Sequence, residues 1–193
     1  MEISLIAGLG NPGARYACTR HNAGFMLLDR LADRLKADPW RNWQSLGDYA
    51  KVQCPQGTLF LLKPNTYMNN SGDALQSFAS FHRLEPGKIL VCFDDISLDA
   101  GRIRLRRAGS DGGQRGMRDI LGKLGGQNIP RLRIGVGPRP EQIQAKDFVL
   151  APPSSEQRAA FEDGLKSAEA AVLAVLERGL EAAMNAANGG AKP

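Results

Sequence analysis

At 193 residues, 42% of them hydrophobic and 23% charged, the chain has the make-up of one globular domain with a sizeable core, and no second domain is expected. No stretch approaches the roughly 20 apolar residues of a membrane helix, and Met1-Glu2-Ile3-Ser4-Leu5-Ile6-Ala7 is too short and too soon followed by glycine for a signal peptide. The net charge of +5 favours a polyanionic partner; three cysteines (Cys18, Cys54, Cys92), with only His21 and His82 as imidazole partners, fit neither a disulfide framework nor a zinc site, so a reducing, cytoplasmic setting without metal is expected.

The run Ile3 to Ala7 reads as a buried strand, and Phe25, Leu28, Leu31, Ala32 and Leu35 then recur at helical spacing up to Asp38-Pro39. Tyr49 to Gln53 and Thr58 to Leu62 flank Pro55-Gln56-Gly57 as a hairpin. Asn70 or Ser71 can cap a helix that turns Ala74, Leu75, Phe78 and Phe81 inward and ends before Pro86-Gly87, leaving His82 at the surface. Lys88 to Phe93 is an apolar strand ending in Asp94-Asp95. Ile103 and Leu105 alternate with Arg102, Arg104 and Arg106, which puts the three arginines on one face.

A glycine loop, Ser110 to Gly113, precedes a helix striped by Met117, Ile120, Leu121 and Leu124, and Leu132 to Val136 is another strand. Pro152-Pro153-Ser154 opens a long helix that Gly179 interrupts, and a short helix follows to about Ala187. The expected architecture is α/β, a single-domain layered sandwich over residues 1–188 with a twisted mixed sheet flanked by helices, and a flexible tail at 189–193.

Charge is clustered. Between residues 102 and 133 Arg102, Arg104, Arg106, Arg107, Arg115, Arg118, Lys123, Arg131 and Arg133 face only Asp111 and Asp119, a local excess of seven, larger than that of the whole chain. Such a concentration predicts a basic surface for nucleic acid.

Gly8-Leu9-Gly10-Asn11-Pro12-Gly13 follows a strand and matches the dinucleotide-binding spacing G-x-G-x-x-G. Its context does not: Ala14 to Arg20 separates the third glycine from the helical period, and Asp29 and Asp33 lie within the helix instead of at a second strand's end. The glycines then make a tight turn that presents Asn11 at the carboxyl edge of the sheet.

His21 precedes the first helix and Asp94 ends an apolar strand; each alone could be structural. Together they make a base and a carboxylate able to hold the imidazole in one tautomer and stabilise the imidazolium, as general-base attack by water requires. With the amides of Asn11 and Asn69, this layout predicts an esterase-type site. Cys18, three residues before His21, offers a thiolate alternative supported only by proximity.

Gly8 to Gly13, Thr19-Arg20-His21-Asn22-Ala23-Gly24, Lys63-Pro64-Asn65-Thr66-Tyr67-Met68-Asn69-Asn70-Ser71-Gly72, Arg131 to Gly137 and Phe148-Val149-Leu150 together resemble the bacterial peptidyl-tRNA hydrolase family, from Ile3 to about Asn188. The resemblance implies a monomeric, cofactor-free enzyme that cleaves the ester between a peptide and the 3′-terminal ribose of tRNA, recycling peptidyl-tRNA that leaves the ribosome early. On that model His21 is the general base, Asp94 orients and polarises it, and Asn11, Tyr16, Tyr67, Met68, Asn69 and Arg115 bind the substrate. Arg106 and Arg133 contact tRNA phosphate.

One departure stands out. Where the family carries Gly-Gly-His-Asn-Gly, this chain has Gly112-Gly113-Gln114-Arg115-Gly116. Gln114 hydrogen-bonds but takes up no proton, and Arg115 adds a charge where a neutral amide is expected. His21 and Asp94 are intact, so activity with altered substrate affinity or end recognition is the expectation. A non-catalytic RNA-binding relative is the alternative, and a dinucleotide-dependent oxidoreductase the reading from another class.

Overall fold

The computed structural model describes residues 2–189, so of the expected tail only Gly189 falls within it. A seven-stranded sheet in the order β2-β3-β4-β1-β5-β7-β6 forms the middle layer. Its strands are β1 (Leu5–Gly8), β2 (Arg41–Trp43), β3 (Gly47–Cys54), β4 (Gly57–Pro64), β5 (Ile89–Asp99), β6 (Ile103–Arg106) and β7 (Arg131–Gly137). The inner strands β4, β1, β5 and β7 run parallel, and antiparallel strands close both flanks, which makes the sheet mixed as expected.

Alternation along the inner strands feeds two cores. Ile6, Leu90 and Cys92 face α1 (Ala23–Leu35), α5 (Ser155–Arg178) and α6 (Leu180–Asn188). Leu5, Ala7, Val91 and Phe93 face α2 (Ser71–His82) and α3 (Arg115–Lys123). The period of two in the strands thus builds a helix-sheet-helix sandwich. Among the described residues no helix is long and apolar enough to cross a membrane.

Several expectations are corrected. β5 does not stop at Phe93; it runs to Asp99 and carries Asp94 and Asp95 inside the strand, paired with Ile134 and Gly135 of β7. The short strand β2 and the one-turn helix α4 (Ala145–Val149) lacked a periodic signal long enough to predict them. Phe81 is 67% exposed, because α2 reaches its end at His82 and its last turn overhangs the sheet. His82 is not a surface side chain: it is half-buried among Trp43, Phe60, Phe78 and Phe81, with ring centroids 4.4 Å from those of Phe60 and Phe78. Asn70 sits at the N-cap of α2 without a side-chain capping bond; Ser71 Oγ instead donates to the carbonyl of Met68 at 2.9 Å.

At the outer edge of β6 the chain caps itself. Asn188 of α6 accepts from the amide of Leu105 at 3.1 Å and donates to its carbonyl at 2.9 Å.

Candidate active site

The glycines of the first loop act through space and not through backbone freedom. Neither Gly8 nor Gly10 has the positive φ that Gly13 adopts at 102°. A Cβ on Gly8 would lie 2.3 Å from the carbonyl oxygen of Gly24, and a Cβ on Gly24 would lie 2.4 Å from that of Cys92. The start of α1 therefore packs directly on the ends of β1 and β5, and this brings the turn before α1 onto the carboxylate of β5.

There His21 Nδ1 meets Asp94 Oδ2 at 2.8 Å. Asp94 is 3% exposed, whereas His21 is partly open to solvent. Burial of the carboxylate makes the neutral ring keep its proton on Nδ1, facing Asp94, and leaves the Nε2 lone pair for the adjoining pocket. The pocket holds about 540 Å³ and is lined by His21, Asp94, Asn11, Tyr16, Tyr67, Met68, Asn69, Gln114 and Arg115, with Ala145, Lys146, Val149 and Leu150 on its far wall. All eight residues expected at the catalytic and substrate positions line this one cavity.

Gln114 takes up the other carboxylate oxygen. Its Nε2 donates to Asp94 Oδ1 at 3.2 Å and lies 3.0 Å from Met68 Sδ, while its Oε1 accepts from the backbone N–H of Met117 at 2.9 Å as the cap of α3. The structure thus separates the two departing residues. Gln114 is buried against the carboxylate, and Arg115, the next residue, is exposed at the pocket rim.

Asn11 is held by a partner the sequence did not disclose. Asn11 N–H donates to Asn22 Oδ1 at 2.9 Å, and Asn22 Nδ2 donates back to the Asn11 carbonyl at 3.0 Å. The backbone N–H of Met68 donates to Asn11 Oδ1 at 3.0 Å, so the Asn11 amide turns its NH₂ toward the pocket. Asn22 lies one residue after His21, and its place in the Thr19 to Gly24 motif was the only available signal. Asn69 and Tyr67 are exposed at the mouth, Tyr67 at 60%, and Asn69 Nδ2 donates to Asn70 Oδ1.

Arg20 is a second residue missed. Charge suggests a surface side chain, yet Arg20 is 5% exposed. Its Nη1 donates to the carbonyls of Phe148, Ala151 and Pro152, its Nη2 to Gln157, and the guanidinium stacks 4.2 Å from the Phe148 ring. Burial lowers its pKa from the ordinary arginine value. This arginine ties the turn that carries His21 to the segment that forms the far wall of the pocket.

None of the three cysteines lines the pocket. Cys18 is exposed and absent from the pocket lining, and Cys92 is buried, which pushes its thiol well above the usual range. Among the described residues no three His, Cys, Asp or Glu side chains gather as a metal site.

The basic cluster needs correction. Arg131 is 2% exposed and donates to four backbone carbonyls, those of Ile129, Gly109, Ser110 and Gln127; burial and the nearby Arg133 lower its pKa. It is a strut for the glycine loop and not part of a surface. Carboxylates remote in sequence neutralise others: Glu2 and Glu181 meet Arg107, Asp73 meets Lys123, and Asp95 meets Arg133. Asp111 pairs with Arg118, which together with the Gly113 N–H holds its carboxyl below the usual range. Arg102, Arg104, Arg106 and Arg115 have no carboxylate partner among the described residues. Register pairs Arg104 with Arg133, and Arg106 lies two residues along, so Arg106 and Arg133 share a sheet face. Neither lines the pocket.

A family model described as "Peptidyl-tRNA hydrolase" matches residues 5–193. The chain is 46% identical over 186 residues to the peptidyl-tRNA hydrolase of Elusimicrobium minutum, covering 96% of this chain and 99% of that one. It is 45% identical over 185 residues to that of Symbiobacterium thermophilum, covering 95% and 98%. Among solved structures it is similar to peptidyl-tRNA hydrolase from Acinetobacter baumannii, with a TM-score of 0.90, 36% identity and coverage of 97% and 95%. A complex of peptidyl-tRNA hydrolase with N-propanol gives 0.91 at 36% identity, covering 100% and 97%.

Proposed function

The chain belongs to the peptidyl-tRNA hydrolase family, and from that premise we propose that it hydrolyses the ester between a peptide and the 3′-terminal ribose of tRNA with His21 as general base. It is an enzyme, and the shared activity of its relatives favours turnover over RNA binding alone. The observation that carries the site assignment is the 2.8 Å contact between His21 Nδ1 and buried Asp94, beside a pocket into which the other ring nitrogen is free to turn.

Water bound near Nε2 loses a proton to His21 as its oxygen attacks the ester carbonyl. Asp94 accepts from Nδ1–H and stabilises the imidazolium. The NH₂ of Asn11, turned inward because its Oδ1 is occupied by Met68 N–H, donates to the carbonyl oxygen as negative charge develops there. Asn69 supplies a second amide at the mouth. When the tetrahedral intermediate collapses, the ester C–O bond breaks and the ribose oxygen takes the proton from His21, giving tRNA with a free 3′ end and a peptide carboxylic acid, which ionises to the carboxylate by losing its proton to solvent. The balance closes with water alone and needs no cofactor.

Tyr16, Tyr67, Met68 and Arg115 flank the substrate, and Arg106 and Arg133 contact phosphate away from the cavity. The enzyme acts as a cytoplasmic monomer that recycles peptidyl-tRNA released early from ribosomes. Hydrolysis of N-acetylated aminoacyl-tRNA tests the assignment. Wild type turns over, and folded His21→Ala protein loses most of the activity; a folded variant keeping more than about half of it overturns His21 as the base.

A further inference from the structure

We infer that Gln114 is a positioning residue for this reaction, holding the Asp94 carboxylate in the orientation that His21 needs. This rests on the reading of His21 and Asp94 above.

The two ends of the Gln114 side-chain amide differ: one accepts, the other only donates. The accepting end is already committed. Gln114 Oε1 takes the N–H of Met117, one of the unpaired donors at the start of α3. With that end fixed, the NH₂ has one direction left, and it points at Asp94 Oδ1 and Met68 Sδ. Gln114 is 7% exposed and Asp94 3%, so water does not substitute readily for either partner.

The consequence falls on the carboxylate. Its Oδ2 faces His21 at 2.8 Å, and its Oδ1 is held by Gln114 at 3.2 Å. A carboxylate gripped at one oxygen alone can rotate about its terminal torsion, which is a soft one. Gripped at both, it keeps Oδ2 on the imidazole. Gln114 therefore joins helix α3 to the dyad, and the donor it supplies carries no charge and gains or loses no proton. Its contact is with Asp94 and not with the reacting atoms, so its effect belongs in turnover more than in substrate affinity.

Two roles share this one side chain, the cap of α3 and the hold on Asp94, and two substitutions separate them. Gln114→Glu keeps the length and the capping oxygen, as a carboxylate suits a helix N-terminus, but removes the donor. Gln114→Met removes both. Each is measured for hydrolysis of N-acetylated aminoacyl-tRNA and for thermal unfolding, in the wild-type and His21→Ala backgrounds.

Gln114→Glu is expected to lower kcat about tenfold or more, the range set by one hydrogen bond to a charged group, with KM within about twofold, and to melt earlier because it sets a second carboxylate against buried Asp94. Gln114→Met lowers kcat similarly and also melts earlier. In the His21→Ala background Gln114→Glu adds no further loss, because the group it serves is gone. A Gln114→Glu enzyme that turns over like wild type shows that only the cap matters and overturns the proposal. So does an equal loss in both backgrounds, which places Gln114 outside the dyad. If His21→Ala itself turns over like wild type, the dyad reading falls and this one with it, a result distinct from loss in His21→Ala with an unaffected Gln114→Glu.

Discussion

The pocket around His21 and the flank formed by β6 and β7 solve opposite problems with polar side chains. In the pocket, neutral amides are held by fixed partners: Asn22 at both ends by the backbone of Asn11, Gln114 at both ends by α3 and Asp94, and Asn11 at its oxygen by Met68, which leaves its NH₂ to the cavity. On the flank, charge is either tied up by carboxylates from other parts of the chain, as at Arg107 and Arg133, or left to solvent, as at Arg102, Arg104 and Arg106. A preorganised network fixes atoms to fractions of an ångström for chemistry. A row of solvated arginines attracts phosphate with little demand on geometry. The difference predicts that single changes in the pocket act on rate, whereas changes on the flank act on affinity and its salt dependence.

The sharpest break of that comparison is at the dyad. His21→Ala is expected to lower kcat by about 10²–10⁴-fold, the usual contribution of a general base, in a protein that still folds, as circular dichroism checks. Alkylating the cysteines leaves the wild-type rate largely in place. Asp94→Asn loses as much as His21→Ala or less, since the base remains while its orientation and charge support go.

Next in size is Arg131, the flank cation that behaves as a pocket residue does. Arg131→Met leaves four backbone carbonyls without their donor, and a loss of about 3 kcal/mol or more in urea-unfolding stability is expected. Arg104→Ala, a few residues of sheet away and exposed, changes stability by less than about 0.5 kcal/mol. Equal losses would erase the distinction drawn between strut and surface.

Replacing Arg106 and Arg133 together weakens tRNA binding and reduces the slope of log K against log salt by roughly 1.4 to 1.8, at about 0.7 to 0.9 per phosphate contact, with kcat little changed. An unchanged slope with unchanged affinity would move the RNA face elsewhere. Arg106→Ala alone gives half of the change and leaves the pocket untouched. Arg133→Ala also frees the buried Asp95 carboxylate, so a larger rate effect from Arg133 than from Arg106 would locate the boundary between the two regions.

The smallest effect is expected far from both. Burial, and secondarily Lys51, lowers the His82 imidazole below its ordinary range. The unfolded chain therefore takes up the proton first: this contribution is intact above the unfolded value and is lost as pH falls through it toward the lowered folded-state value. Urea midpoints at pH 7.5 and 5.5 should fall less in His82→Gln than in wild type. Asp111, whose carboxyl is held low, loses its contribution only in a more acid window.

Much of this arrangement was legible in the residues. Periodicity located the hairpin of β3 and β4, the buried strands and every helix but α4, because burial on one face leaves a pattern of two or of three and four. The pairing of His21 with Asp94 followed from the chemistry those residue types perform together. Local pattern carried no information about convergence across the fold. Arg131 counted toward the basic surface, and nothing local marked Arg20 as buried, because the partners of both are carbonyls of distant loops. The charge count missed Glu2, Asp73, Asp95 and Glu181, which meet the cluster only after folding. Phe81 fits the helical stripe of α2 and still lies outside, since a spacing rule does not say where the sheet beneath a helix ends.

The contact of Asn188 with Leu105 bears on a different matter, the protein's behaviour at high concentration in its own company. β6 is the last strand of the sheet, and the outward N–H and C=O of such a strand are an open template for another chain. Here one side-chain amide stands in for a strand that is not there, offering an acceptor and a donor at the spacing a peptide group would. Arg102, Arg104 and Arg106 repel a like edge on either side of it. A second molecule could extend the sheet only by lifting α6 away and bringing arginines together, so the end of the last helix works as a stopper against edge-to-edge aggregation.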